Sequence, residues 1–379
     1  MSQIDNFFES PKEHSIVKSD IVSEYFGAWV DIMKTRCKEL TYLDLFSGPG
    51  EYEDGTPSTP MKIFDVVESK EIYANLKTYF YEKDKGLGIK LENALKNHKV
   101  FKELRTKPEF SEREISRKII DELPINDCTL SFVDPTGYDL SANLLVTLIR
   151  NWGSDCIFYF TTSGIKRNIE NASEEVDMIE IFGKKGLEEL RSKLELEENW
   201  VEKDQLMLKA LESKVLEIRG RPLYFLPFAM QFDDKRLTSY YLILITKHHL
   251  GFKMMKDIMS KGSRCFLDAD EIPHYYYSKI EHEKGRQLDL HLEKKTNRME
   301  MLKEKLLKDF KGRELKVKYV VDDCHRKGYF ETTSNIIDAM LRLELEPKPR
   351  LKVDSPQDKR PLRKGKPTLG EDRVVTFLN

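Results

Sequence analysis

Apolar positions along the chain follow two rhythms. From Val17 to Lys34, Ile21, Val22, Tyr25, Trp29 and Ile32 recur on one side of a 3.6-residue period, which predicts an amphipathic helix. Leu40 to Phe46 is nearly all apolar and predicts a buried strand, which Gly48, Pro49 and Gly50 end. The same two rhythms then alternate. Met61 to Tyr73 reads as helix, Thr78 to Glu82 as strand, and Gly88 to Asn97 and Phe110 to Leu123 as helices. Cys128 to Val133 reads as strand, Leu140 to Asn151 as helix and Asp155 to Thr161 as strand. Such alternation predicts an α/β fold with a parallel sheet wrapped by helices. A charged helical interval runs from about Ile165 to Arg219. Two apolar runs follow, Pro222 to Met230 and Tyr240 to Thr246, joined by a polar turn with Asp233 and Asp234, so they predict a hairpin.

The pattern changes near Gly262, at the end of an amphipathic helix from Gly251 to Lys261. Three short amphipathic helices then follow: Leu290 to Phe310, Leu315 to Lys327 and Thr333 to Leu345. Arg350 to Val353 and Arg373 to Leu378 flank an interval rich in Pro, Gly and basic residues, as a hairpin with a long basic tip would. The chain thus divides into an α/β domain (1–262, with a helical insertion at about 165–219), a linker (263–289) and a winged helix-turn-helix (290–379). The segment from His274, HYYYSKIEHEKGR, reads as ordinary interdomain chain in preference to a base-stacking surface.

Composition adds limits. The 379 residues are 40% hydrophobic and 34% charged, with a formal charge of −2, which excludes wholesale electrostatic attraction to polyanions. Charge is uneven, however: Lys348 to Arg373 holds nine Lys/Arg against four Asp/Glu. Cys37, Cys128, Cys156, Cys265 and Cys324 are scattered with no C-x-x-C, so neither a zinc ribbon nor a disulfide framework is expected, and a reducing cytoplasm fits. The N-terminus is polar and acidic, and no run of eighteen apolar residues exists, which argues against a secretory leader or a membrane span.

The alternating units closed by a hairpin resemble the Rossmann-like methyltransferases, whose last strand is antiparallel to the rest. That resemblance makes the turn in YLDLFSGPGEYEDG a cradle for S-adenosyl-L-methionine (SAM), lined by Asp44, Phe46, Gly48 and Gly50: the acid orders the loop and the glycines let main chain approach the ligand. An acid at the end of the second strand then takes the ribose hydroxyls, and YFYEKD offers Glu82 there, with Asp84 as the substitute. No Gly-Lys-Ser/Thr follows the turn, which excludes a Walker P-loop. The strand ending SFVDPTGYD faces the same crevice. Asp134 and Tyr138 are its acceptor-site candidates, by analogy with the Asp/Asn-Pro-Pro-aromatic segment that grips an exocyclic amine and stacks a flipped base. Here Thr136 stands for the second proline and Tyr138 lies one place late; the alternative is a capping acid at a helix start, which Asp139 or Ser141 also supplies. Arg360, Arg363, Lys364 and Lys366 are the candidate phosphate contacts of the wing. His248 and His249 are adjacent on a strand, so they point to opposite faces and do not suit one metal ion.

KSDIVSEYFGAWVDIM, YLDLFSGPGEYEDG, FVDPTGYD and YYLILITKHHLGFKMMKDIM, in this order, resemble the three-Cys-motif partner family (TcmP). The resemblance covers most of the chain; the turn with Tyr52, Asp54 and Gly55 is its most specific part. It implies a methyltransferase-type core, a C-terminal winged helix, and association with an iron–sulfur or radical-SAM-like protein of three clustered cysteines. Two positions depart from it: Ser58-Thr59-Pro60 stands where Gly-Ser-Pro is usual, and Ser19 where a first-helix His is usual. The expected function is SAM-dependent methylation of a nucleic acid, DNA or RNA, at a base amino group. The rivals are a non-catalytic partner subunit and a nucleoside-sensing DNA-binding regulator.

Overall fold

The computed structural model describes residues 11, 13–115, 117–135, 140–169, 175–231, 238–262, 265–267, 274–278, 288–363 and 366–378. It divides into two units, Met1–Ile280 and Glu281–Asn379.

The first unit is built on one nine-stranded sheet. Helix α1 (Glu13–Met33) buries Ile21, Val22, Tyr25, Phe26 and Trp29, and leads into β1 (Leu40–Asp44), every residue of which is buried. After the glycine turn come α2 (Thr59–Lys70), β2 (Leu76–Tyr81), α3 (Lys85–Asn97), α4 (Lys99–Glu103) and β3 (Glu109–Ser111). Then follow β4 (Thr129–Val133), α5 (Ala142–Leu148), β5 (Asp155–Phe160) and α6 (Thr162–Asn168). Three helices, α7 (Glu175–Phe182), α8 (Lys184–Leu196) and α9 (Trp200–Arg219), form the insertion. The unit finishes with β6 (Tyr224–Gln231), β7 (Thr238–Thr246), α10 (His249–Gly262), β8 (Cys265–Leu267) and β9 (His274–Ser278).

The strand order is β3-β2-β1-β4-β5-β7-β6-β9-β8. Strands β1 to β5 are mutually parallel, and β7 enters antiparallel between β5 and β6. This is a Rossmann-like α/β sheet with the antiparallel strand that the hairpin predicts. It reverses direction of winding at β1/β4, and in such sheets the carboxyl ends of the strands at that point form a crevice.

Several expectations fail for physical reasons. Phe110–Leu123 is not one helix: it opens with β3, whose Phe110 stacks on Phe80 of β2 at 5.8 Å, and closes with a 3-10 turn over Arg117–Glu122. Ile115, Ile119 and Leu123 are buried all the same, so the helical spacing marks the buried side correctly and the backbone wrongly. The segment read as linker begins with β8 and β9, which extend the large sheet beyond β6, and the boundary between units moves to residue 280. Cys37 and Cys128 form a disulfide, Cα atoms 6.5 Å apart, between the turn after α1 and the start of β4. A single pairing of distant cysteines leaves no mark in their spacing.

In the second unit, a long helix (Leu288–Phe310), a strand (Glu314–Lys316), two helices (Val317–Arg326 and Thr333–Glu344) and two strands (Leu351–Val353 and Val374–Phe377) follow one another. The strands form a three-stranded antiparallel sheet with Val374–Phe377 in the middle. Leu306, Phe310, Val320, Ile336, Met340 and Val375 fill its core. A short ladder, Leu362–Arg363 against Lys366–Pro367, lies between the last two strands in sequence. Among the described residues, no helix is long and apolar enough to cross a membrane.

Candidate functional site

The crevice at the carboxyl ends of β1, β2, β4 and β5 gathers most of the first unit's expected site residues. Asp44 closes β1 and is fully buried. Its carboxylate accepts the Phe46 N–H at 3.3 Å and the Tyr42 hydroxyl at 3.2 Å, and its own carbonyl accepts from Ser47 Oγ. Burial pushes its carboxyl up to about 7 against the pull of the Phe46 N–H, and the charge of nearby Asp134 adds to the rise. Phe46 is half-buried beside the loop.

Gly48 has φ +66° and donates its N–H to Glu82 Oε2 at 2.9 Å. Glu82 Oε1 accepts the Asp84 N–H at 2.9 Å. One carboxylate thus ties the glycine turn to the end of β2. Asp84 does not compete for that place: its side chain caps α3 through the Leu87 N–H.

Gly50 has φ +85°, and a Cβ there would approach Leu91 Cδ1 to 3.0 Å and Ala94 Cβ to 3.4 Å. Backbone conformation and packing on α3 by themselves call for a glycine here. The following residues close a small loop: Glu51 bridges Pro57, Tyr52 and Thr56 share a backbone hydrogen bond, and Asp54 Oδ1 accepts the Thr56 N–H. The loop delivers the chain to the N-terminus of α2, where Ser58 is the N-cap without making a side-chain cap; among the described residues its hydroxyl oxygen is buried and unpartnered.

Asp134 follows β4, and Lys18 of α1 forms an ion pair with its Oδ2. The two side chains are 22% and 15% exposed. Lys18 also stands 5.5 Å from the centroid of the Tyr159 ring on β5. Tyr240 of β7 backs that ring at 4.3 Å and meets the His14 ring edge-on at 5.6 Å. Burial and the Asp134 charge push the Tyr159 hydroxyl upward, so it stays neutral. Tyr138 lies outside the described residues, as do Thr136 and Asp139. Ser141 caps α5 through the Leu144 N–H, so the capping role falls to Ser141 and not to Asp134.

Lys18 is the residue that sequence reading misses. It is one of 63 Lys and Arg, and its partner is 116 residues further on, so no local spacing signals it. Ser19, the departure from the expected His, is buried and bonds the Ile16 carbonyl.

Two other groups resolve into ordinary structure. His248 Nδ1 accepts the Leu250 N–H at the start of α10. Asp65, Glu68 and His98 place ligand atoms within 4.8 Å of one another; yet His98 Nδ1 accepts the Val100 N–H, its Nε2 faces Asp65 at 3.2 Å, and Glu68 pairs with Lys99.

In the second unit, Arg360 is not a free cation at a tip. It is buried and paired with Glu344, and its Nη1 donates to the Thr368 carbonyl at 3.3 Å. Arg363 and Lys366 are backbone partners in the register of the short ladder. Lys364 lies outside the described residues.

No protein-family model matches the chain, and no curated protein matches it. Solved structures resemble it remotely. A protein of Legionella pneumophila is 11% identical over 60% of this chain and 85% of its own, with a TM-score of 0.35. A Streptococcus mutans protein assigned as a methyltransferase, crystallised with SAH, is 11% identical over 63% and 99%, with a TM-score of 0.31. The plantazolicin methyltransferase, also with SAH, is 11% identical over 64% and 90%, with a TM-score of 0.32. Likeness this slight carries no argument, and the fold assignment rests on the strand order and sense.

Proposed function

We propose that the chain is a class I SAM-dependent methyltransferase that acts on a nucleic acid. The observation that carries this reading is the Gly48–Glu82 bond, which sets a glycine turn and a strand-end acid on the same crevice, with Asp134 across it. The donor set suits each part of SAM. Glu82 offers a carboxylate to vicinal ribose hydroxyls. The α2 N-terminus, with the unpartnered Ser58 hydroxyl beside it, suits the cofactor's carboxylate. The half-buried rings of His14 and Tyr159, each packed on the Tyr240 ring, offer apolar faces to a base. When bound, SAM supplies an electrophilic methyl group; the chain's residues orient its acceptor.

The second unit supports a nucleic-acid substrate. Its order of helix, strand, helix, helix, strand, strand supports a winged helix, with the ladder of Leu362–Arg363 and Lys366–Pro367 as the wing. Membership of the TcmP family, and with it a partner of three clustered cysteines, follows as a proposal from the closed Tyr52–Gly55 loop and its neighbouring motifs. Calorimetric titration of the purified chain with SAM and SAH tests the reading. Micromolar binding of both is the expected result, and no heat with either ligand refutes it.

A further inference from the structure

We infer that the methyl acceptor is a hydroxyl, the ribose 2′-oxygen of RNA, and not the base amine expected from the Asp-Pro segment. The inference deepens the proposed function and rests on it. Its basis is the Lys18–Asp134 ion pair at the acceptor end of the crevice.

The charge that develops on the attacking atom decides between the two acceptors. A neutral amine that attacks a sulfonium methyl becomes cationic as the bond forms, and an ammonium beside it opposes that change. A hydroxyl oxygen must shed its proton, and until it does so completely it carries partial negative charge, which an ammonium stabilises. Lys18 is held at this point by Asp134 Oδ2 and flanked by the Tyr159 ring, with both side chains mostly buried, so both charges act at short range: the carboxylate can take a proton and the ammonium can face the negative charge left on oxygen, a division that only a hydroxyl acceptor uses in full. An amine-specific site gains nothing from such a cation.

The step balances within these residues. The hydroxyl oxygen forms a bond to the methyl carbon, the carbon–sulfur bond breaks with its electron pair retained by sulfur, and the hydroxyl proton passes to the second oxygen of Asp134 and on to water. The positive charge of the sulfonium is thereby discharged as one proton. Internal nucleotides of DNA carry no hydroxyl on the sugar, so the nucleic acid of this reading is RNA.

The test uses the full chain, methyl-tritiated SAM and bulk RNA from cells lacking the gene. Methylation of a 2′-oxygen blocks alkaline cleavage at the next phosphate, so label should appear in alkali-resistant dinucleotides. Label confined to mononucleotides means base methylation and overturns the inference while leaving the methyltransferase reading intact. No label in RNA, with SAM still bound by calorimetry, overturns it too. Absence of SAM binding defeats the reading beneath it.

Variants separate the roles. Lys18→Met should lower transfer at least 100-fold with SAM affinity within threefold, and Lys18→Arg should restore it to within tenfold because the charge is kept. Equal loss in both would overturn the electrostatic role. A readout independent of turnover is the Lys18 side-chain resonance of 15N-lysine-labelled protein: Asp134→Asn should move its chemical shift, and an unmoved resonance would mean that the pair does not exist in solution.

Discussion

Arg360 gives Nη2 to both carboxylate oxygens of Glu344, each at 2.6 Å, with side chains 1% and 9% exposed. The most conspicuous cation of the basic stretch is therefore a core fastener that ties the segment before the short ladder to the helix Thr333–Glu344. Removal of one partner strands a buried charge, a loss of about 3–5 kcal/mol. Arg360→Ala should lower the stability of the second unit by that amount in denaturant unfolding, and a loss under about 1 kcal/mol would show that the pair is not closed in solution.

The other three expected phosphate contacts carry a different expectation. Changing Arg363, Lys364 and Lys366 together to Gln should leave unfolding unchanged. If all three meet phosphates, it should flatten the dependence of log K on log salt by up to about 2–3, at roughly 0.7–0.9 per contact. Filter binding at several salt concentrations measures the slope. Loss of affinity with no change of slope would place the effect outside phosphate contacts.

Glu82 is bound by two backbone N–H groups before any ligand arrives. Hydrogen bonds to a charged group contribute about 1.5–3 kcal/mol. Glu82→Gln should therefore weaken SAM at least tenfold in calorimetry. Thermal melting of the same variant tells loss of ligand contact from loss of the turn: a melting point within a few degrees of the parent assigns the effect to the ligand.

Asp44 gives the ligand-free protein a pH dependence. Its folded carboxyl, held up at about 7 by burial, keeps a proton that the unfolded chain releases at about 4. Between those values the folded state binds more protons than the unfolded state, so stability falls as pH rises from about 4 to about 7, by at most ~4 kcal/mol. Asp44→Asn, which has no proton to lose, should remove that decline. An identical decline in the variant, followed by urea unfolding at fixed pH steps, would assign it to other groups.

The body of the fold is legible wherever burial is continuous along the chain. Leu40–Asp44 and Thr129–Val133 read as strands because every side chain there is covered from both faces, and the Tyr240–Thr246 run shows the antiparallel strand by its short connection to Pro222–Met230. Strand β3 is illegible because it is three residues long and held by its backbone ladder to β2, with Phe110 alone stacking on Phe80, so it leaves no apolar run in the sequence. The place of Glu82 beside the glycine turn is legible because a strand end fixes its position. The packing of Gly50 on Leu91 is not, since it belongs to contact between elements. Lys18 and Arg360 mark the limit: sequence gives the charge of each, and whether that charge meets a carboxylate, a phosphate or water is decided by chain that lies 116 residues away in one case and 16 in the other.

Helix α1 packs against α2 and against α10, and its Glu24 pairs with Lys261, 237 residues later. At about 5–20 residues per second of synthesis, α1 leaves the ribosome roughly 10–50 s before α10 exists. Through that interval part of the surface that carries Tyr25 and Trp29 has no cover of its own chain, and the sheet that would receive it is incomplete. Such delayed, long-range closure slows folding and invites association of nascent chains. The yield of soluble protein should therefore depend on holdase chaperones more strongly than the second unit, made last and closed by contacts within a hundred residues, would by itself require.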